Sequence, residues 1–345
     1  MIAQPTEPKL LPHIKKVSTE LNKNLQVMCN SYKSLYLLDN EASDHKDLLS
    51  RHTPEITSRR IQFWGSCNGL LLVTTRHHKD DADLLDMYLW NPCTREVVKI
   101  PFTETSPKHK ADHKIAFGLG YNEVAKDYEI LRVLSYSGEV YYSEVEVFSL
   151  RTKSWRRIKD IPYILRFISY MVKQGELVNG ALHWPAYHCS KPWNNPVLVI
   201  AYDFKDEKFR EVPLPEYDNT DLIGIHVAAL DEYLCVSFQY KNCAEAWIMT
   251  EYVWKDSWKK LYNITEASTV CHIDSEHLKP ICFMKERSEI LLCDHMSLYV
   301  YDTKDQSVRG LVVESHPERV YQATTYTESI VPLHRLIEEK TTTEK

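Results

Sequence analysis

The sequence predicts an all-β protein: a β-propeller-like ring of four-stranded blades, six in number, with one blade shared by strands from the two ends of the chain. Three observations lead there. Short apolar runs of period two, the pattern of half-buried strands, recur over most of the 345 residues. A phrase of strand, polar turn, strand and exit also recurs. Its clearest copy is residues 141–162, YYSEVEVFSLRTKSWRRIKDIP. There Val145 and Val147 alternate with Glu144 and Glu146, Leu150 to Lys153 form the turn, Trp155 and Ile158 resume the apolar spacing, and Pro162 ends it. Finally, the anchor position of the phrase falls at Val97, Trp155, Phe209, Trp258 and Val308, at intervals of 49 to 58 residues. Each interval holds about four short strands, the content of one propeller blade. A blade cannot cover its own faces, so neighbours must, and the array closes on itself.

Taken in order, residues 1–23 read as a tail with a short helix, because Leu10, Ile14, Val17 and Leu21 form a helical stripe. Residues 24–331 are the propeller domain. It starts with the strands NLQVMC and SLYLLD around a polar turn at Asn30 to Lys33. Residues 40–60 are polar and show no element. The first internal unit runs from FWGSCNGLLLV, with a turn at Asn68-Gly69, to MYLWNPCTREVVKIP. The second runs from IAFGLGY to the phrase quoted above. The third extends from ELVNGALHWPAY to Pro215, and the fourth from IGIHVAAL to AWIMTEYVWKDSWKKL. The fifth occupies residues 281–313 and is the most compact. The last strand, VYQATTYTESIV, is placed to complete a blade with the N-terminal hairpin, and residues 332–345 read as a charged tail. No long amphipathic helix interrupts the units, which argues against a parallel α/β fold. A β-sandwich would need no recurrence near 50 residues.

Composition narrows the function classes. Hydrophobic content of 43% and charged content of 26% are globular values, and a formal net charge of −6 offers no basic stripe for nucleic acid. No run of about 18 apolar residues suggests a membrane span, and the N-terminus lacks the basic and apolar regions of a secretory signal. Nine cysteines, an odd number without a C-x-x-C pair, sit mostly in apolar runs. They read as reduced thiols in a cytoplasmic or nuclear protein. Asn263-Ile264-Thr265 is a formal glycosylation sequon without a signal peptide to expose it.

With only nine glycines, no Gly-Gly pair and no Gly-His or Trp-Asp dipeptide, the repeats match neither the kelch nor the WD40 phrase. Five other phrases occur in order. They are Gly65-Ser66-Cys67-Asn68-Gly69-Leu70-Leu71; Leu89-Trp90-Asn91-Pro92-Cys93-Thr94-Arg95; Phe117-Gly118-Leu119-Gly120-Tyr121 with Asp127-Tyr128-Glu129-Ile130; Asn179-Gly180-Ala181-Leu182-His183-Trp184; and Trp247-Ile248-Met249-Thr250-Glu251-Tyr252 with Ser257-Trp258. Together they resemble the plant F-box-associated domain of the F-box/kelch-like proteins. The resemblance implies a non-catalytic substrate receptor of an SCF-type ubiquitin ligase. In that family an N-terminal F-box docks a Skp-type adaptor and cullin, and the associated domain captures the target protein. Here Leu11-Pro12 matches the opening of an F-box, but the first strand follows too soon, and helix 10–21 resembles the connector that follows one. The expectation is a receptor domain whose ligase docking requires an F-box that this sequence lacks.

Catalytic and metal signals are weak. His77-His78 with Asp80, Asp81 and Asp83 reads as a solvated loop rather than a metal site. His109 and His113 are four apart outside any helical pattern. There is no G-x-S-x-G elbow and no P-loop, and Gly118-Leu119-Gly120 is not followed by a helix. We therefore expect no catalytic residue, metal or cofactor. The competing reading is a propeller hydrolase with paired carboxylates at the ring axis. The recurring Trp90, Trp155, Trp184, Trp247 and Trp258 read as packing between blades. Partner contacts are expected on connections without a repeat role, above all Tyr187, His188, Trp193 and Asn194, then Tyr136 and Tyr240. The charged loops 76–86 and 104–114 read as insertions.

Overall fold

The computed structural model describes residues 25–31, 35–38, 45–47, 61–79, 82–101, 113–137, 141–166, 174–190, 196–265, 277–294, 296–311 and 320–338. Their strands form six antiparallel sheets. Five are blades built from consecutive strands. Blade 1 holds β4 (Ile61–Cys67), β5 (Leu70–Lys79), β6 (Ala82–Asn91) and β7 (Glu96–Ile100). Blade 2 holds β8 (His113–Asn122), β9 (Asp127–Tyr136), β10 (Tyr142–Ser149) and β11 (Ser154–Arg157). In blade 3, β12 (Tyr163–Leu165) and β13 (Glu176–Val178) both pair with β14 (Ala181–His188), followed by β15 (Leu198–Asp203) and β16 (Lys208–Val212). Blade 4 comprises β17 (Leu222–Leu230), β18 (Tyr233–Tyr240), β19 (Cys243–Met249) and β20 (Trp258–Thr265). Blade 5 comprises β21 (Lys279–Met284), β22 (Glu289–Cys293), β23 (Leu298–Asp302) and β24 (Ser307–Leu311).

The sixth sheet joins the ends of the chain. The C-terminal strand β25 (Val320–Thr327) pairs with β1 (Leu25–Ser31), which pairs with β2 (Leu35–Leu38) and then β3 (His45–Asp47). β3 lies in the stretch that the sequence reading left without an element. Its sequence is polar, so it carries no apolar alternation to reveal it. The first strands are neighbours around a closed circuit: β25 beside β4, β4 beside β8, β8 beside β13 and β14, these beside β17, β17 beside β21, and β21 beside β25.

The turns at one end of the ring repeat a single chemistry. The side-chain oxygens of Asn91, Asn122, Asp203 and Asp302 each accept two backbone N–H groups, from residues two and three further on. Four residues after each stands a non-glycine residue with positive φ: Arg95, Lys126, Glu207 and Gln306. Ser149 and Lys153 repeat the arrangement with a hydroxyl as acceptor. An Asx or Ser acceptor closing a turn that ends in the left-handed region is an economical way to reverse a strand. The Asn68-Gly69 and Asn179-Gly180 pairs are two-residue hairpin turns with both residues at positive φ.

Packing between blades uses glycines on β8. A Cβ added at Gly118 would meet the Leu182 side chain at 2.5 Å, and one at Gly120 would meet the Phe204 ring at 1.9 Å. Blade 3 thus seats its side chains against bare backbone of blade 2. The outer strands are tied as well. Trp155 Nε1 donates to the Pro101 carbonyl (2.7 Å), and Trp258 Nε1 donates to the Pro213 carbonyl (2.8 Å). Each reaches from the fourth strand of one blade to the chain leaving the fourth strand of the blade before it. Trp90 and Trp184 are fully buried, while Trp155 and Trp247 are half-buried.

Residues 333–338, read from sequence as charged tail, form helix α1 (Leu333–Glu338). Leu333 is fully buried and its N–H donates to Glu96 Oε2 (2.5 Å).

Candidate functional site

Antiparallel pairing gives the ring two unlike ends. At the turn end lie the links from first to second strand and from third to fourth, most of them two or four residues long. At the connection end lie the links between second and third strands and between blades. These include 101–112, 189–197, 213–221, 266–278 and 312–319, which differ in length and sequence.

Every residue singled out as a candidate contact that the structure describes lies at the connection end. Tyr136 ends β9, Tyr187 and His188 end β14, and Tyr240 ends β18. These are the second strands of three successive blades. Trp193 and Asn194 lie outside the described residues, in the connection that leaves β14, as do Asp80, Asp81 and His109; the side chains of His77, His78, Asp83 and His113 are likewise not described. Tyr136 is buried, stacked on Tyr142 (4.6 Å between centroids, 15° between planes), with its hydroxyl donating to Glu144 (3.3 Å). Burial and the Glu144 carboxylate push its phenol up to about 12. Tyr240 is 9% exposed within the core between blades 3 and 4, and burial likewise pushes it up to about 12. Both rings serve as packing between strands. Tyr187 is half-buried with the Arg166 guanidinium over its ring at 5.5 Å. His188 stands edge-on to Tyr163 (5.8 Å) and pairs Nδ1 with Ser190 Oγ (2.8 Å). Arg166 itself donates to the Ile223 carbonyl (2.5 Å), which joins blades 3 and 4 at this end. Of the candidate contacts among the described residues, Tyr187 and His188 keep part of their surface exposed.

The ring axis holds a second feature that the sequence did not disclose. A cavity of about 250 Å³ is lined by Leu25, Ser66, Leu177, Asp231, Glu232 and Thr324 among others, drawn from β1, β4, β13, β17 and its turn, β21 and β25. Deeper in, a polar chain crosses the axis. Gln322 exchanges hydrogen bonds with the backbone of Phe63 (2.9 and 2.7 Å) and donates to Gln174 (3.0 Å). Gln174 donates to Glu176 (2.7 Å), which pairs with Lys279. Nearer the turn end, Arg287 pairs with Asp231 at 2.6 Å, both side chains 5% exposed. Burial raises the Asp231 carboxyl above its ordinary range, opposed by Arg287. These residues come from five of the six sheets and each looks ordinary in its own segment. No local spacing could have grouped them.

His183 of β14 makes a third polar centre. It is fully buried, with Nδ1 against the Glu176 carbonyl (3.1 Å) and Nε2 against the Tyr252 hydroxyl (2.8 Å). Burial depresses it to about 4, so it is neutral at physiological pH. Among the described residues, no three His, Cys, Asp or Glu side chains are grouped to hold a metal ion. The cysteines there form no disulfide, and no helix is long and apolar enough to cross a membrane.

Residues of the five recurring phrases serve as scaffold. Ser66 Oγ donates to the Thr325 carbonyl (2.7 Å), and Asn91 Nδ2 donates to the carbonyls of Ser329 and Val331 (3.0 and 2.9 Å). Asp127 accepts from Ser149 and from the Arg151 N–H, and His183 meets Tyr252. The profile of the F-box associated beta propeller domain matches residues 22–333, the whole ring. The chain belongs to that family. It is 24% identical over 346 aligned positions to the F-box protein CPR1 of Arabidopsis thaliana, covering 92% of this chain and 79% of that one. With the Arabidopsis thaliana F-box protein At3g07870 the identity is 27% over 292 positions, 76% of this chain and 62% of that one. A solved structure, Kuenenia stuttgartiensis hydrazine synthase, aligns with a TM-score of 0.48 at 6% identity, over 89% of this chain and 47% of that one.

Proposed function

We propose that this F-box-associated ring is a target-recognition module. It binds a target protein at its connection end, acts by proximity without chemistry of its own, and presents the target for ubiquitination where an F-box couples it to a Skp-type adaptor and cullin. The observation that carries the reading is family membership across the entire ring, with relatives that are F-box proteins. The geometry supports the choice of end. Most turn-end links are short and reuse a few turn patterns, whereas connection-end links vary, and variable links on a rigid scaffold are where binding specificity is written. The carboxylates near the axis support the non-catalytic part. Of the three carboxylates that line the axial cavity, Glu176 and Asp231 are each held by a cation.

Within this reading, Trp193, Asn194, Tyr187 and His188 are the contact candidates. The test is affinity capture from the cells that express the chain, using wild type, Trp193→Ala and His188→Ala, followed by titration of a captured protein. Each variant should melt at the wild-type temperature, and Trp193→Ala should weaken binding by ~2 kcal/mol or more, the loss typical of a buried interface anchor. Equal affinity for all three proteins would remove these residues from the interface. If neither wild type nor variant captures any protein saturably, the recognition reading itself fails.

A further inference from the structure

The sequence holds two Asn-Gly pairs, Asn68-Gly69 and Asn179-Gly180. Both form two-residue hairpin turns at the turn end, and both asparagines have φ of 50°. The dipeptide is chemically reactive. Glycine has no Cβ to screen its backbone nitrogen, so that nitrogen can attack Cγ, the carboxamide carbon of the asparagine before it. The five-membered ring closes only when rotation about the asparagine Cα–C and Cα–Cβ bonds brings the two atoms together. The turn must therefore open locally, and its surroundings decide how readily it does.

Those surroundings differ. Gly69 is buried, and a Cβ built there would meet Ser329 Cβ at 2.2 Å and the Thr327 carbonyl at 2.9 Å. The Asn68 side chain interacts with the Tyr128 hydroxyl of blade 2. The end of β25 and the neighbouring blade thus clamp this turn, and its first strand, β4, is seven residues long. Asn179 and Gly180 are both exposed, and nothing lies within 4 Å of a Cβ built at Gly180. Their first strand, β13, has only three residues. The Gly180 carbonyl accepts from the Phe204 N–H (3.3 Å), on the far side of the residue from the reacting nitrogen.

We propose that Asn179 deamidates spontaneously in the folded chain, while packing protects Asn68. The Gly180 nitrogen gives its proton to solvent as it bonds to Asn179 Cγ. The Cγ–Nδ2 bond breaks, and ammonia leaves with a proton from solvent. Water then opens the ring at either carbonyl, giving aspartate or, with the chain rerouted through the side chain, isoaspartate. The sum replaces an amide by a carboxylic acid, with uptake of water and release of ammonia, and no oxidant or reductant is involved. Isoaspartate adds a methylene to the backbone of a turn that sets Val178 opposite Ala181 and Glu176 opposite His183. The change therefore loosens the strand that carries Glu176 to the axis. The site stands independently of whether a target binds at the other end.

The experiment incubates the full chain at physiological temperature and mildly alkaline pH, folded or in guanidinium chloride, and follows each site by peptide mass spectrometry and by isoaspartyl methyltransferase assay. In the folded chain, the acid forms should accumulate at residue 179 about tenfold or more faster than at residue 68. In denaturant the two sites should react at similar rates. Asn179→Gln, whose longer side chain closes a ring far more slowly, should lose most of the methyl-accepting signal of the folded chain. Amide exchange across residues 176–183 should rise in aged wild type and not in the aged variant. A folded chain that reacts equally at both sites or at neither, a denatured chain with the same preference, or an aged wild type that exchanges no faster than the aged variant would overturn the assignment.

Discussion

His183 sits fully buried between the Glu176 carbonyl and the Tyr252 hydroxyl, and burial holds its imidazole near 4, below its ordinary 6.5. Above pH 6.5 neither the folded nor the unfolded chain protonates it, and its environment costs nothing. As pH falls from 6.5 towards 4, the unfolded chain takes up the proton and the folded chain does not, so stability is lost across that window. The full shift amounts to about 3 kcal/mol. Urea unfolding of wild type and His183→Gln between pH 7 and pH 4 should show the variant with the shallower decline, since it lacks this proton. Parallel curves would mean that His183 titrates normally. At the same scale, Trp258→Phe keeps most of the packing but removes the bond from Nε1 to the Pro213 carbonyl. It should lower unfolding stability by about 1 kcal/mol, the net worth of one hydrogen bond, as read by denaturant midpoint. The sequence marked Trp258 as a repeat position and His183 as part of a family phrase. Their partners lie 45 and 69 residues away, which is why their roles emerge only when the blades are laid side by side. Tyr136 and Tyr240 illustrate the converse. Each flanks a polar loop and looks exposed in sequence, yet a neighbouring strand or blade covers it.

Elements were legible wherever the apolar alternation was strong. The four-strand content of the fifth unit and the pairing of the N-terminal hairpin with the last strand both follow from patterns on the page. β3 and α1 were missed because one is polar and the other is short and charged, and each is fixed by what it docks against: β2 in one case, the Glu96 carboxylate and the core in the other. The turns make a sharper statement. Lys153 is exposed, has φ of 55°, and its N–H donates to the Ser149 carbonyl (2.9 Å). Lys153→Gly keeps that bond and relieves the left-handed backbone, so stability should hold or rise by up to about 1 kcal/mol. Lys153→Val should cost about 1–2 kcal/mol, because a β-branched residue resists that region. Thermal melts of the pair separate backbone strain from lost side-chain contacts. Between blades, Gly120→Ala should cost about 2–3 kcal/mol through the clash with Phe204, and Phe204→Leu should recover part of it in the double variant. Simple addition of the two losses would mean that they do not share a contact.

For the whole molecule, the ring depends on a closure made by the last strand. β25 supplies the innermost strand of the shared sheet, pairs with β1 along its length, and carries Gln322, which reaches both Phe63 and Gln174. A chain ending at residue 319 leaves β1, β4 and β21 with an unpaired edge or an uncovered face. It should elute as an aggregate or lose the single cooperative melt, whereas a chain ending at residue 338 should behave as wild type in size-exclusion chromatography and calorimetry. The closed ring, in turn, is what lets one end be built of repeated turns while the other carries connections of different lengths. That asymmetry was partly visible in sequence, since loops without a repeat role could be separated from turns that had one. The axial cavity was not visible, because six strands and a turn from five of the six sheets meet to form it. The central claim is that recognition belongs to the connection end. Hydrogen–deuterium exchange of the ring, free and bound to a captured target, tests it most directly. The account predicts new protection at the ends of β9, β14 and β18 and in the connections that leave them. Protection confined to the opposite turns, around Asn68-Gly69, Val124 and Trp254, would contradict it.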